Sequence, residues 1–164
     1  MPIVSSDIKY KLSGGAANAD PLLSIGGAIS SVDAGSSIFD DVASAEAAAG
    51  DTEYRCIYVK NTHATLTYLS AKIWIQTQTP SADTDVAIAL GGEGLNGTAE
   101  TVANENTAPV GESFTSPSSF AGGLTIGDLA PGAYYPVWVR RTVNAGAAVY
   151  ADSFTLRVQC DTNP

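Results

Sequence analysis

The run Tyr-Arg-Cys-Ile-Tyr-Val-Lys at residues 54–60, the turn Asn61-Thr62-His63-Ala64 and the longer return at 66–79 decide the fold class. The first run is dense in aromatic and β-branched residues, which suit a pleated surface. The return puts Ile73 and Ile75 on one face, the period-two signature of a strand. Outward from this pair the same pattern recurs. Residues 85–90 (Asp-Val-Ala-Ile-Ala-Leu) alternate, as do residues 7–12 (Asp-Ile-Lys-Tyr-Lys-Leu). Residues 133–143 form another strand, launched by the turn-rich run 127–132. Residues 149–160 close the chain with Phe154, Leu156, Val158 and Cys160 in phase. Short strands are expected near 28–30 and 113–115, and the segment 91–119 reads as a long polar loop. Only 36–50 has helix-like spacing, at Phe39, Val42 and Ala43, and it amounts to a short helix at most. Strands with turns between them predict an all-β fold: an antiparallel β-sandwich, immunoglobulin-like or jelly-roll-like, with long loops. No internal repeat divides the chain, so residues 1–164 are expected to form a single domain.

Composition narrows the function. There are 17 Asp and Glu against 8 Lys and Arg, a net charge of −9. Such a chain lacks the clustered cations that bind a phosphate backbone or an anionic membrane surface, so no nucleic acid and no membrane partner is expected. Apolar runs are far shorter than a membrane span. Val, Ile, Leu and Phe together number only 36, because 25 of the apolar residues are Ala. With charged residues at 15%, the surface must be built from Ser, Thr, Asn, Gly and Ala. The first residues, Met-Pro-Ile-Val-Ser-Ser-Asp, do not form a secretory signal, and the chain is expected to be made and kept in cytoplasm. Cys56 and Cys160 are too few for a disulfide framework. Both sit in strand-like segments, where a reduced thiol acts as a small apolar group.

Catalytic chemistry finds few candidates. His63, the only histidine, lies in a turn with no Gly-x-Ser-x-Gly elbow to supply a nucleophile. Neither zinc nor an EF-hand calcium site can be assembled; Asp40-Asp41 and Asp83-Thr84-Asp85 read as turn residues, with calcium held at one of these pairs as the alternative. Gly91-Gly92-Glu93-Gly94 follows a strand but has no Gly-Lys-Ser/Thr ending and carries an acid where phosphate would sit. The expectation is therefore no enzyme, no metal and no cofactor. Arg140-Arg141, the one adjacent cation pair, points to both faces of its strand, so one of the two is expected to be partly buried against an acid. Trp74 and Trp138 face away from their aliphatic neighbours. They form either an aromatic contact patch or a face packed under a loop.

The run at 45–75, containing Glu-Ala-Ala-Ala-Gly-Asp-Thr-Glu-Tyr-Arg-Cys and Ile-Tyr-Val-Lys-Asn-Thr-His-Ala-Thr-Leu, resembles small Ig-like structural proteins of tailed double-stranded-DNA bacteriophages. The segments 96–100, 104–109, 127–132 and 139–146 share the likeness, which runs from about position 20 onward. The resemblance implies a virion component assembled in the host cytoplasm, a capsid decoration or cement protein bound to the outside of the head. Its implied partners are the major capsid protein or other virion proteins, with the chain itself a homo-oligomer, a trimer at a three-fold position being the form such proteins imply. The alternative is a tail, neck or fibre-associated module that meets host carbohydrate. Residues 1–12 are either an arm that adds a strand to a neighbour or the first strand of the chain's own sheet. The candidate partner-binding residues are Ile3, Val4, Ile8, Tyr10, Trp74 and Trp138.

Overall fold

The computed structural model describes residues 3–148 and 152–162. In chain order the strands are β1 (Ile8–Leu12), β2 (Gly26–Gly27), β3 (Asp51–Asn61), β4 (Tyr68–Thr77), β5 (Thr84–Leu90), β6 (Ala99–Thr101), β7 (Leu124–Leu129), β8 (Tyr134–Val143) and β9 (Thr155–Thr162). A short helix, α1 (Ser44–Ala49), precedes β3, and single 3-10 turns form at Ser5–Asp7 and Pro21–Leu23. The helical spacing at 36–50 thus survives only in its Ala-rich second half. No helix of the described residues is long and apolar enough to cross a membrane.

β3 and β8 are the antiparallel centre, in register from Asp51↔Val143 to Lys60↔Tyr134. With β1 and β5 they make a four-stranded sheet in the order β1-β3-β8-β5, and β7-β4-β9 form the sheet opposite. Ile57, Val59, Val137, Val139, Val86 and Ile88 from the first sheet meet Tyr68, Ile73, Ile75, Ile126, Leu129 and Val158 from the second in one buried core. Each such side chain contributes roughly 1.5–3 kcal/mol relative to exposure. The all-β antiparallel sandwich expected from the sequence is the fold of this chain.

Its connectivity departs from that of an immunoglobulin domain. The chain crosses between sheets from β3 to β4 and back from β7 to β8, and these crossings pair strand for strand, β3 with β8 and β4 with β7. An immunoglobulin domain would place the fifth of its seven strands, not the sixth, beside the second. Asn61 pins the two crossings together. Its buried side-chain amide donates to Leu66 O and Leu129 O, both at 2.8 Å, and its Oδ1 accepts His63 N at 2.8 Å.

A third layer covers the outer face of the four-stranded sheet. β2 and β6, with the loops around them, bury Cys56, Tyr58, Ala89 and Trp138 against Ala99, Val102 and Ile25. The Tyr58 hydroxyl joins this layer to the sheet, donating to Gly27 O at 2.6 Å and accepting Ala99 N at 2.9 Å. Gly26 (φ +99°) lies so close to β6 that a Cβ there would stand 1.7 Å from Glu100 O, so only glycine fits. The central strands are buried on both faces, which is why 54–60 reads as nearly continuous apolar sequence.

Candidate functional site

The N-terminal residues build the flank of the sandwich where the edges of β1 and β9 face each other. Ser5–Asp7 turn the chain into β1, closed by Asp7 N donating to Val4 O at 2.9 Å and Val4 N donating to Asp7 Oδ2 at 2.8 Å. Asp7 O then accepts Thr62 N, at 2.9 Å, and the hydroxyl of buried Tyr68, which ties this turn to the β3–β4 crossing. Residues 8–12 are therefore a strand of the chain's own sheet, and the arm reading does not apply to them. Met1 and Pro2 lie outside the described residues.

Four of the six candidate contact residues converge here. Ile3, Ile8 and Tyr10 pack against the sandwich core, Val4 stays 52% exposed, and all four line a groove of about 460 Å³ along Leu156–Cys160 of β9. The Tyr10 hydroxyl donates to Leu156 O at 3.5 Å, and burial pushes it up to about 12. The two tryptophans do not join them. Trp138 is fully buried beneath the third layer, so it presents no surface to a partner. Trp74 lies on the outer face of the three-stranded sheet but is 6% exposed, with Phe120 edge-on against it (ring centroids 5.8 Å) and the Arg157 guanidinium 5.9 Å from its ring. Loop-covered packing is the arrangement found for both.

A second cluster was only half visible in the sequence. Glu53 and Arg55 on β3 and Arg141 on β8 face the interior at one end of the core and are buried there. Arg141 Nε donates to Glu53 Oε2 at 2.6 Å, and its guanidinium also reaches Asp40. Arg55 donates through Nη2 to Glu105 Oε2 at 2.5 Å and through Nε to Ile38 O at 3.1 Å. The Phe39 ring lies over both guanidinium groups, at 5.3 Å from Arg55 and 4.8 Å from Arg141. Burial pushes the Glu53 carboxyl above its usual range, while Arg141 and then Arg55 pull it back. The sequence did indicate one buried arginine of the 140–141 pair, and Arg141 is that residue. Arg140, on the other face, lies 5.3 Å over the Phe114 ring.

Carboxylate atoms of Asp40, Glu53 and Glu105 lie within 4.8 Å of one another, the spacing of a cation site. Two guanidinium groups already stand among them, so an added divalent ion would meet those positive charges at contact distance. The cluster is an ion-pair network that closes the end of the core. A cavity of about 300 Å³ adjoins it, walled by Tyr10, Ile38, Ile57, Val86 and Leu156, and its Asp40 and Arg141 are bonded to each other.

The remaining motifs serve turns. His63 Nδ1 accepts Thr65 N at 3.1 Å and Leu66 N at 2.9 Å, organising the β3–β4 crossing. Asp83 Oδ2 accepts Ala148 N, and Asp85 Oδ1 accepts Gln78 Nε2. In the glycine-rich loop, Gly92 N donates to Glu112 Oε1 at 2.7 Å, so a carboxylate of the chain itself fills the place of an anion. Cys56 is sealed under the third layer and Cys160 lies at the β9 flank, both as free thiols on different sheets. No family model, curated protein or solved structure matches this chain.

Proposed function

We propose that this chain is a non-enzymatic virion structural protein: a capsid decoration or cement protein that binds the outer surface of a phage head and stabilises it. The observation that supports this reading best is the flank groove. Apolar Ile3, Val4 and Ile8 line it beside a β9 edge that has no backbone partner among the described residues. Such an edge recognises another extended chain through main-chain hydrogen bonds and needs no reacting group. A β-sandwich with only 15% charged residues also suits repetition over a shell, since dense surface charge would make neighbouring copies repel. In this role many copies sit over junctions between major capsid subunits and brace them by apolar and backbone contacts. The resemblance in the sequence supplies the phage context.

The test is the copy number and position of the chain in purified particles, by quantitative gel densitometry followed by cryo-EM. Hundreds of copies on the shell are expected. A handful at the tail would replace the decoration role with an adsorption or connector role, and absence from particles would refute both.

A further inference from the structure

The chain closes both edges of its four-stranded sheet by itself. Along β1, Leu12 N donates to Val32 O at 3.1 Å and Ala34 N to Tyr10 O at 2.7 Å; along β5, Ile88 and Thr115 exchange both backbone bonds. In the three-stranded sheet β7 is six residues long, and its pairing with β4 is broken by two register shifts. β9 is longer, Thr155–Thr162; its pairing with β4 also shifts register twice, and among the described residues the side away from β4 meets no backbone partner. Proteins usually blunt such an edge with lysine, proline or a bulge. The β9 sequence Thr-Leu-Arg-Val-Gln-Cys-Asp-Thr has neither lysine nor proline; its charges are one Arg and one Asp, spaced evenly about Gln159.

The direction of the open groups follows from Tyr10. Leu156 O accepts its hydroxyl and Val158 N–H is hydrogen-bonded to the same Tyr10 oxygen, so both face the flank; alternation along the strand turns Val158 O and the N–H and C=O of Cys160 the same way. Arg157, Gln159 and Asp161 point their backbone groups at β4 and expose their side chains on the outer face of the sheet.

We propose that the occupant of this edge is β9 of a second copy, paired antiparallel about a two-fold axis through Gln159. Val158 of each chain then exchanges both backbone bonds with Cys160 of the other, its N–H exchanging the Tyr10 hydroxyl for that carbonyl. Arg157 of each chain stands opposite Asp161 of the other, at positions without ladder bonds, where side chains approach most closely. The outward groups allow only pairings of residues with matching parity. Centring the pair on Val158 or Cys160 instead sets Arg157 or Asp161 against Gln159, so charge selects one register. Ile3 and Val4 wall the groove the partner enters. The two sheets join into one of six strands, and the isologous contact closes as a dimer. This inference rests on the reading of the flank groove as an assembly surface but makes its occupant a second copy, so that the dimer's other faces meet the capsid; self-association in solution tests it separately from any presence on particles.

Sedimentation velocity of the full chain at micromolar concentration is expected to show a dimer. Arg157→Asp and Asp161→Arg each set like charges face to face twice and should weaken self-association about tenfold or more. An equimolar mixture of the two should recover the dimer, because one chain then presents two acids and the other two arginines. Both sites are exposed, and unchanged far-UV circular dichroism confirms that each variant folds. Gln159→Cys in a Cys160→Ser background places a thiol on the axis and should give a disulfide-linked dimer under mild oxidation. A monomeric or trimeric wild type, single variants that still dimerise, a mixture that stays dissociated, or no disulfide at Gln159→Cys would overturn the proposal.

Discussion

Asn61 offers the sharpest test of how the two crossings hold each other. Replacing it with alanine removes three hydrogen bonds, to Leu66 O, Leu129 O and His63 N, each 2.8 Å long. They are unequal. The Leu129 bond is buried, so its carbonyl loses its donor with no water to replace it, at about 1–3 kcal/mol. Leu66 O and His63 N are half-buried turn atoms that can rehydrate, at roughly 0.5 kcal/mol each. Asn61→Ala should therefore cost about 2–4 kcal/mol, or roughly 4–16 °C in Tm for a chain of this size. Urea unfolding with an unchanged m-value would confirm that stability moved and the compactness of either state did not. Asn61→Asp sharpens the test. It keeps the acceptor for His63 N but turns an anion on two carbonyl oxygens, so at neutral pH it should be worse than alanine. Protonation supplies one donor, and because burial against two carbonyls raises the folded-state pKa above the unfolded value near 4, the deficit should shrink as pH falls towards about 4 and be smallest below it. A loss under about 0.5 kcal/mol for Asn61→Ala, or an Asn61→Asp variant no worse than alanine at pH 7, would refute the assigned role.

Arg141→Ala strands the buried Glu53 carboxylate and should cost about 3–5 kcal/mol in urea unfolding; adding Glu53→Ala should restore part of that, and additive losses would show that the two do not act as a pair. Burial pushes both thiols up, far more for Cys56, so a thiol reagent at pH 8 should modify Cys160 slowly in the native protein and Cys56 only after denaturation. Two fast-reacting native thiols would contradict the third layer. Tyr10, raised from 10.0 to about 12, makes the native state favour its protonated form, so its contribution is complete below pH 10 and is lost as pH rises towards 12. That contribution is roughly 3 kcal/mol. Tyr10→Phe should flatten the alkaline fall in Tm between pH 10 and 12, and an unchanged fall would remove Tyr10 as its source.

Strands whose neighbours are local in character were legible in the sequence. β3, β4, β5 and β8 carry period-two or fully apolar patterns because at least one face of each meets the core. β7 escaped because Gly127-Asp128 is turn-forming sequence. The structure keeps that segment in a strand by letting Asp128 Oδ1 accept Ser70 N at 2.8 Å, where β4 bulges and Ser70 takes φ +52°. β6 escaped because three residues show no period; it exists because the Tyr58 hydroxyl and Gly26 draw it onto the sheet. The strand expected over 149–160 runs from Thr155 to Thr162, and Val149 and Tyr150 lie outside the described residues.

Interaction sites depend on information that no single segment carries. Glu53 and Arg55 alternate with residues that look half-exposed, and nothing local says that Phe39 and Ile38 fold over them or that Arg141 arrives from 88 residues away. The edge of β9 is a stronger case. Whether a strand is left unpaired is a property of the whole sheet order, because β1 and β5 escape only by borrowing partners from Val32 and Thr115. The spacing of Arg157 and Asp161 about Gln159 is present in the bare sequence, yet it has no meaning until β9 is known to be an edge. A strand with both sides paired would use those two charges only for solvation. On an edge without a strand partner the same spacing makes the strand complementary to itself, and among the described residues the order β7-β4-β9 leaves β9 such an edge.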